Sequence, residues 1–222
     1  MDLTPFWISI KLSAIVTVLL FFIAFPLAFW LANTRHPFKP VIEAVSALPI
    51  VLPPTVLGFY LLVALSHNSP LGAFFEETVG ISLVFSFPGL VVASCFYSFP
   101  FMLQPLQAGL EGIDRKLVEA SYTLGKSTWK TILNVQLPLM RPALLTATVI
   151  TFAHTMGEFG VVLMVGGAIP GTTKVASVAI YDYVENLDYA TAHIYSGILV
   201  LLSFLVLLTV YLVNRKHTWR MA

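Results

Sequence analysis

The sequence predicts an all-α integral membrane protein with five transmembrane helices. Of the 222 residues, 58% are hydrophobic and 10% are charged, and the mean hydropathy is +0.87. A soluble domain carries about 25% charged residues, so this chain has too few charges to cover its apolar surface. Five apolar stretches each have about the 20 residues with which a helix crosses a bilayer. These observations exclude a soluble enzyme, a disordered chain and a disulfide-rich secreted protein, and the single Cys95 allows no intrachain disulfide.

The chain reads as one transmembrane domain over residues 1–222. The five predicted spans cover residues 8–32, 44–65, 85–106, 143–165 and 195–213. The first is not a signal peptide, because its uncharged stretch is longer than the 7–15 apolar residues that such a peptide carries. No strand-like alternation of polar and apolar residues suggests a β-barrel.

Prolines interrupt the second span. Pro49, Pro53 and Pro54 lie within it, and each proline removes a backbone donor and disfavours helix at the residue before it. In lipid, such a break is tolerated only against protein or a water-filled path. A simple kink and a functional break fit equally well, and Pro53, Pro54 and Thr55 are therefore candidates for a translocation path or gate.

Positive charge predicts the orientation. Ten of the 12 Lys and Arg residues fall after the first span, between the third and fourth spans, or at the end of the chain: Arg35, Lys39, Arg115, Lys116, Lys126, Lys130, Arg141, Arg215, Lys216 and Arg220. Cytoplasmic loops carry such an excess. The N-terminus is therefore expected outside and the C-terminus in the cytoplasm, and the outer connections hold acids instead: Glu76, Glu77, Asp182, Glu185 and Asp188.

The longest predicted cytoplasmic segment covers residues 111–142. Residues 116–124 have helical spacing, with Leu117, Ala120, Ser121 and Leu124 on one face. Gly125 interrupts, where we expect either a positive φ or close packing. A second helix is expected over residues 127–137 with Ser127 as its N-cap. Geometry alone also fits a solvated connector.

This segment resembles the EAA loop of binding-protein-dependent ABC importer permeases. The resemblance rests on the spacing of six residues: Glu119, Ala120, Ser121, Gly125, Leu137 and Pro138. It implies a type I ABC importer permease fold and a coupling helix that docks on a separate ATP-binding subunit. Gly125-Lys126-Ser127 is not a P-loop, because Ala120 stands where that motif needs glycine, so ATP is expected on the partner.

The fourth span contains one formal charge, Glu158, between Gly157 and Gly160. A charge within a span faces the protein interior by default and is a functional candidate. His154 lies four residues earlier, on the same face of a continuous helix. Two ligands are too few for a metal site. A proton relay, or a glutamate hydrogen-bonded within the bundle beside a helix break, both remain open.

Gly157-Glu158-Phe159-Gly160 is similar to the signature of permeases for tetrahedral oxyanions. The resemblance covers nearly the whole chain and is strongest to molybdate permeases, with tungstate and sulfate as alternatives. It implies no catalytic residue, metal or cofactor in this chain. The implied partners are an ATP-binding subunit, a periplasmic or extracellular molybdate-binding protein, a second copy of the chain and the lipid bilayer. The net charge of +1 gives no case for nucleic acid.

The role of Glu158 and of the outer acids is open at this point. An ionised Glu158 would repel a dianion, so we assign no oxyanion site in the membrane and expect this residue to be structural or protonated. Asp182 and Glu185 either meet the binding protein or are merely solvated. Two rival functions are an ion-coupled secondary transporter and a membrane enzyme that uses His154 and Glu158.

Overall fold

The computed structural model describes residues 2–218, and every regular element in this range is helical. Arg220, which contributes to the predicted orientation, lies outside the described residues. In chain order the helices are α1 (Thr4–Asn33), α2 (Lys39–Val51), α3 (Pro54–Leu65), α4 (Pro70–Val79), α5 (Phe87–Glu111), α6 (Arg115–Thr123), α7 (Thr128–Thr131), α8 (Leu137–Leu139), α9 (Arg141–Gly157), α10 (Gly160–Gly166), α11 (Ala176–Glu185) and α12 (Tyr189–Thr218). A π-helical turn, Ile132–Gln136, joins α7 to α8.

Three helices are long and apolar enough to cross a membrane: α1, α5 and the Tyr189–Thr209 part of α12. Two further candidates are bent pairs. The axes of α2 and α3 differ by 110°, and those of Thr128–Leu139 and α9 differ by 75°. The described residues therefore hold three spans, or up to five if each bent pair counts as one, and the number five stays a prediction.

Helical structure is interrupted within two of the predicted spans, between α2 and α3 and between α9 and α10. Between α2 and α3, Leu52 and Pro53 are extended, with ψ of 136° and 135°, since prolines 53 and 54 donate no backbone hydrogen bond. The helix predicted over residues 143–165 is also interrupted, because α9 ends at Gly157 and Glu158 is extended with ψ of 134°. The helix resumes at Gly160 as α10.

The core forms around α1, which packs against α5 and α9. One stripe of α1 is fully buried and recurs about every four residues: Leu12, Val16, Leu20, Ala24, Ala28 and Leu31. Phe22, on the opposite face, is 69% exposed. Apolar lipid gives little hydrophobic drive for helix association, so close packing of this stripe, aided by its two alanines, must hold α1 in place.

Only the first turns of α12 are well packed. Phe6 and Tyr195 lie with ring centroids 5.1 Å apart, and the Tyr195 hydroxyl donates to the backbone carbonyl of Asp2. Farther along α12, Val200 and Phe204 are exposed. This helix therefore presents an apolar face to lipid or to another protein.

Candidate functional site

The loop between α5 and α9 begins as a capped helix that ends in a tight turn. Asp114 caps α6 by accepting from the Lys116 backbone N–H at 2.9 Å. At the other end, the backbone N–H of Gly125 donates to the carbonyl oxygen of Tyr122 at 2.9 Å. The backbone N–H of Lys126 donates to the carbonyl oxygen of Ser121 at 3.2 Å. These two bonds form a Schellman motif, whose αL position favours glycine.

Gly125 occupies that αL position with φ of +75°. A Cβ built on it would meet nothing within 4 Å. Of the two reasons expected for glycine here, positive φ is therefore the one that the structure supports. Ser127 caps α7, with its side chain accepting from Lys130 N–H, which confirms the predicted N-cap.

The second helix of the loop differs from prediction. Instead of one helix over residues 127–137, there is α7, the π-helical turn and α8. Pro138 explains this, because its ring would clash with the carbonyl four residues earlier, that of Asn134, and it has no N–H to donate. A widened turn centred on Asn134 relieves that clash, and the 75° bend into α9 follows later, between Leu139 and Arg141.

A buried hydroxyl pair holds the two halves of the loop together. Ser121 Oγ and Thr131 Oγ1 are 2.9 Å apart, and the two residues are 4% and 0% exposed. Thr131 was not singled out from the sequence. The sequence offered only one hint of this contact, namely that Thr131 is a second hydroxyl residue ten positions after Ser121.

The helical face predicted to hold Leu117, Ala120, Ser121 and Leu124 is mostly exposed. Ser121 is buried, while Glu119, Ala120 and Leu117 are exposed and Leu124 is 78% exposed. Trp129 and Leu133 add to this surface, at 73% and 57%. Exposure of several large apolar side chains in the segment between α5 and α9 is typical of an interaction surface.

The two interrupted spans meet each other, since α3 packs against α10. A Cβ on Gly160 would lie 2.8 Å from Pro54 Cβ and 3.7 Å from Thr55 N. A Cβ on Gly58 would lie 3.0 Å from Met164 Cβ. The structure therefore brings the candidates Pro54, Thr55 and Gly160 together. It also adds Gly58 to this contact, which the sequence marks only as a single glycine within an apolar stretch.

Glu158 is buried where the break of the fourth span faces α5. It is 4% exposed, and neither carboxylate oxygen has a hydrogen-bond partner among the described residues. Ser94 of α5 lies close to this carboxyl group, and its Oγ is also buried without a partner. Ser94 is therefore the side chain placed to hydrogen-bond this carboxyl group within the bundle, and that alternative stays a prediction. Glu158 is also held through its backbone, whose carbonyl accepts from Ser177 Oγ.

His154 does not share a helical face with Glu158, because α9 ends between them. Its Nδ1 lies 3.0 Å from Ser98 Oγ of α5. Its ring lies 3.9 Å from that of Phe101 and 4.8 Å from that of Tyr97, between centroids. His154 thus packs α9 onto α5. Among residues 2–218, no three His, Cys, Asp or Glu side chains are grouped closely enough to hold a metal ion.

Three of the acids in the predicted outer connections already have a partner. Lys174 Nζ lies 2.6 Å from Asp182 Oδ2, and His67 Nδ1 lies 2.9 Å from Glu76 Oε2. Asp188 accepts from the Thr191 N–H at 3.1 Å, and the hydrogen bonds from Thr191 hold the pKa of this carboxyl below its ordinary value.

Comparison with known proteins gives a family and relatives over nearly the full chain. Residues 21–218 match the family described as "Binding-protein-dependent transport system inner membrane component". The molybdenum transport system permease protein ModB of Azotobacter vinelandii is 49% identical over 211 residues, which are 95% of this chain and 93% of the relative. The protein of the same name from Escherichia coli K12 is 34% identical over 82% of this chain and 81% of its own length.

A more distant relative and two solved structures complete the comparison. A probable sulfate transport system permease protein cysT of Chlorokybus atmophyticus is 33% identical over 92% of this chain and 71% of its own length. A bacterial ABC transporter that imports alginate superposes with a TM-score of 0.78 at 16% identity, covering 96% of this chain and 79% of the other. The inward-facing MetNI methionine ABC transporter gives 0.72 at 21% identity, over 96% and 94%. These two likenesses concern the fold.

Proposed function

Because this chain belongs to the family of inner-membrane components of binding-protein-dependent transport systems, we propose that it is the permease subunit of an ATP-driven importer of molybdate. One observation carries the choice of substrate: 49% identity over nearly the full length of a permease named for molybdenum transport. Sulfate is the second candidate, supported by the 33% identity to a probable sulfate permease, and tungstate is not distinguished from molybdate. The chain is a multi-pass inner-membrane protein.

The loop over residues 111–142 is the proposed contact with the ATP-binding subunit. Its exposed apolar side chains, Leu124 and Trp129 foremost, lie between the predicted third and fourth spans and are 78% and 73% exposed. Ser121 and Gly125 fix the angle between its helices, and Glu119 and Ala120 lie on its exposed surface. Leu137-Pro138 lies just before the bend into α9. ATP would bind to the partner, and this chain would bind no cofactor and catalyse no reaction.

The proposed path lies at the contact between α3 and α10. Two interrupted helices placed side by side are tolerated in lipid only where protein or water covers their free backbone groups. Pro53, Pro54, Thr55, Gly157 and Gly160 lie at these interruptions, and Glu158 is buried beside them. A second copy of the chain would complete the path, since one bundle of this size does not enclose it. His154 is better explained by packing on α5.

Five spans, with the N-terminus outside, are part of this proposal. A topology reporter inserted at Ser69 should report the outside and one inserted at Lys126 should report the cytoplasm. The positive charges around Lys126 and the absence of any near Ser69 are the reason. Both reporters on one side of the membrane would contradict the five-span arrangement.

Reconstituted uptake tests the function. The chain is placed in liposomes with a candidate ATP-binding subunit and a molybdate-binding protein, and uptake of molybdate, tungstate and sulfate is compared with and without ATP. We expect molybdate uptake that requires ATP and both partners. Uptake that survives without ATP and stops when an ion gradient collapses would indicate a secondary transporter. Turnover of a substrate by the chain alone would indicate a membrane enzyme.

A further inference from the structure

A cavity of about 420 Å³ lies where the ends of α1 and α5 meet the start of the 111–142 loop. Arg35, Lys39 and Arg115 line it together with Glu111 and Glu119. Lys39 is already neutralised, because its Nζ lies 3.0 Å from Glu111 Oε1. The cavity far exceeds one water molecule, which takes roughly 30 Å³, and it is built from charged side chains of four separate segments.

Four polar side chains in this cavity lack a partner within residues 2–218, and one of them is the carboxylate of Glu119, which the two unpaired arginines outnumber. Arg35 and Arg115 make no ion pair or side-chain hydrogen bond within residues 2–218. Gln136 also lines the cavity and is only 6% exposed, and its Oε1 is buried without a hydrogen-bond partner. A guanidinium is suited to a phosphate, to which it donates two parallel hydrogen bonds. The amide oxygen needs a hydroxyl or an ammonium donor.

The cavity is next to a membrane-facing apolar surface. It begins at the C-terminal end of α1, at Ala32 and Asn33. Trp30 precedes it and is 38% exposed, and Phe38 and Val41 follow it at 62% and 56%. Tryptophan is enriched at the boundary between lipid and water. A ligand with a charged head and apolar tails would fit both parts of this region.

We propose that this cavity binds the headgroup of an anionic phospholipid, with its phosphate on Arg35 and Arg115 and a headgroup hydroxyl on Gln136. Phosphatidylglycerol has this chemistry. Basic pockets between helices on the cytoplasmic side of a membrane bind such headgroups. The placement rests on the proposed orientation, in which this end of α1 is cytoplasmic. Glu119 of the coupling loop lines the same cavity, so a bound lipid would support the position of α6.

Lipid retention by the purified full chain tests the proposal. The protein is exchanged from mixed phosphatidylglycerol and phosphatidylcholine vesicles into detergent, and bound lipid is identified by native mass spectrometry. We expect phosphatidylglycerol to be retained about tenfold over phosphatidylcholine, because both carry the phosphate but the choline cation is repelled by the arginines and offers no hydroxyl to Gln136. Arg35→Gln and Arg115→Gln should each remove about that preference. Arg141→Gln is the matched control, because Arg141 is exposed and outside the cavity.

Several results would overturn the proposal. One is equal retention of phosphatidylglycerol and phosphatidylcholine, and another is a loss of the preference in Arg141→Gln as large as in the cavity variants. A third is displacement of the lipid by inorganic phosphate at matched concentration, which would indicate a soluble phosphoryl ligand. If the arginine variants retain lipid but no longer co-purify with the ATP-binding subunit, the cavity receives a side chain of that partner instead. Arg35→Lys keeps the charge and guards against misfolding, and it should retain part of the preference. The measurement needs neither ATP nor substrate, so its failure is separate from a failure of the proposed function.

Discussion

Substitutions at Gly125 can separate the proposed coupling role of the 111–142 loop from the stability of that loop. Its φ is +75°, and a Cβ there would meet nothing within 4 Å. Substitution by alanine therefore costs only backbone strain, about 1–2 kcal/mol for an L-residue in the left-handed region. Since 1.4 kcal/mol is a factor of ten, Gly125→Ala should shift the turn toward open forms about fivefold to thirtyfold.

Asparagine and aspartate separate strain from charge at this position. Both tolerate the left-handed region better than alanine does, and they are nearly the same size. Gly125→Asn should keep most of the assembly with the ATP-binding subunit. Gly125→Asp should lose it, because an unpaired charge in a closed interface can cost several kcal/mol. Membrane insertion should be normal in both, since residue 125 is outside every span.

Gly171 is the matched control for the strain. Its φ is also +75° with nothing within 4 Å of a built Cβ, and it lies between α10 and α11, far along the chain from the loop. Gly171→Ala should carry the same local cost and leave coupling unchanged. The assay is co-purification with the ATP-binding subunit and ATP turnover in liposomes. Equal turnover for Gly125→Asp and Gly125→Asn, or an equal loss in Gly171→Ala, would refute the reasoning.

Three further predictions concern stability. Gly160→Ala should lower the free energy of unfolding by about 1–3 kcal/mol, because its Cβ would lie 2.8 Å from the side chain of Pro54. Gly157→Ala is the control and should be neutral, because a Cβ there meets open space. Equal shifts of the two variants in detergent unfolding curves would contradict the close packing. Glu158→Leu should leave the free energy of unfolding unchanged or raise it, because it removes a buried polar group whose oxygens are not well hydrogen-bonded; a loss of about 1–3 kcal/mol in the same assay would show that a hydrogen bond with Ser94 stabilises the fold. Ser121→Ala should leave the Thr131 hydroxyl buried and unpaired, which costs about 1–3 kcal/mol, and faster hydrogen exchange in α6 and α7 should report it; unchanged exchange would mean that other contacts hold the loop.

Local features of the fold were predictable from sequence because each has a local cause. Long apolar stretches predict α1, α5 and α12, since lipid requires such runs. Prolines 53 and 54 predict the first interruption, because they remove backbone donors. The glycines around Glu158 suggested the second only as one alternative, since glycine lowers helix propensity. The αL turn at Gly125 follows from its place after a short helix.

Contacts between distant segments were not predictable, because nothing in local spacing encodes them. The sequence places no constraint on which helix meets Gly58, and only the structure pairs it with Met164 of α10. His154 was grouped with Glu158 on the assumption of a continuous helix, and that assumption fails at Gly157. The π-helical turn before Pro138 was missed because a proline in a short amphipathic run predicts an end, not a widening.

The glycine contacts between α3 and α10 have a mechanical consequence. Gly58 and Gly160 let two backbones approach so closely that neither short helix has room to slide against the other. Helices α3 and α10 should therefore move as one rigid body. Its connections to the neighbouring helices are the non-helical residues Leu52 and Pro53 before α3, and Glu158 and Phe159 before α10. We therefore expect that a rotation of α9 would move α3 together with α10.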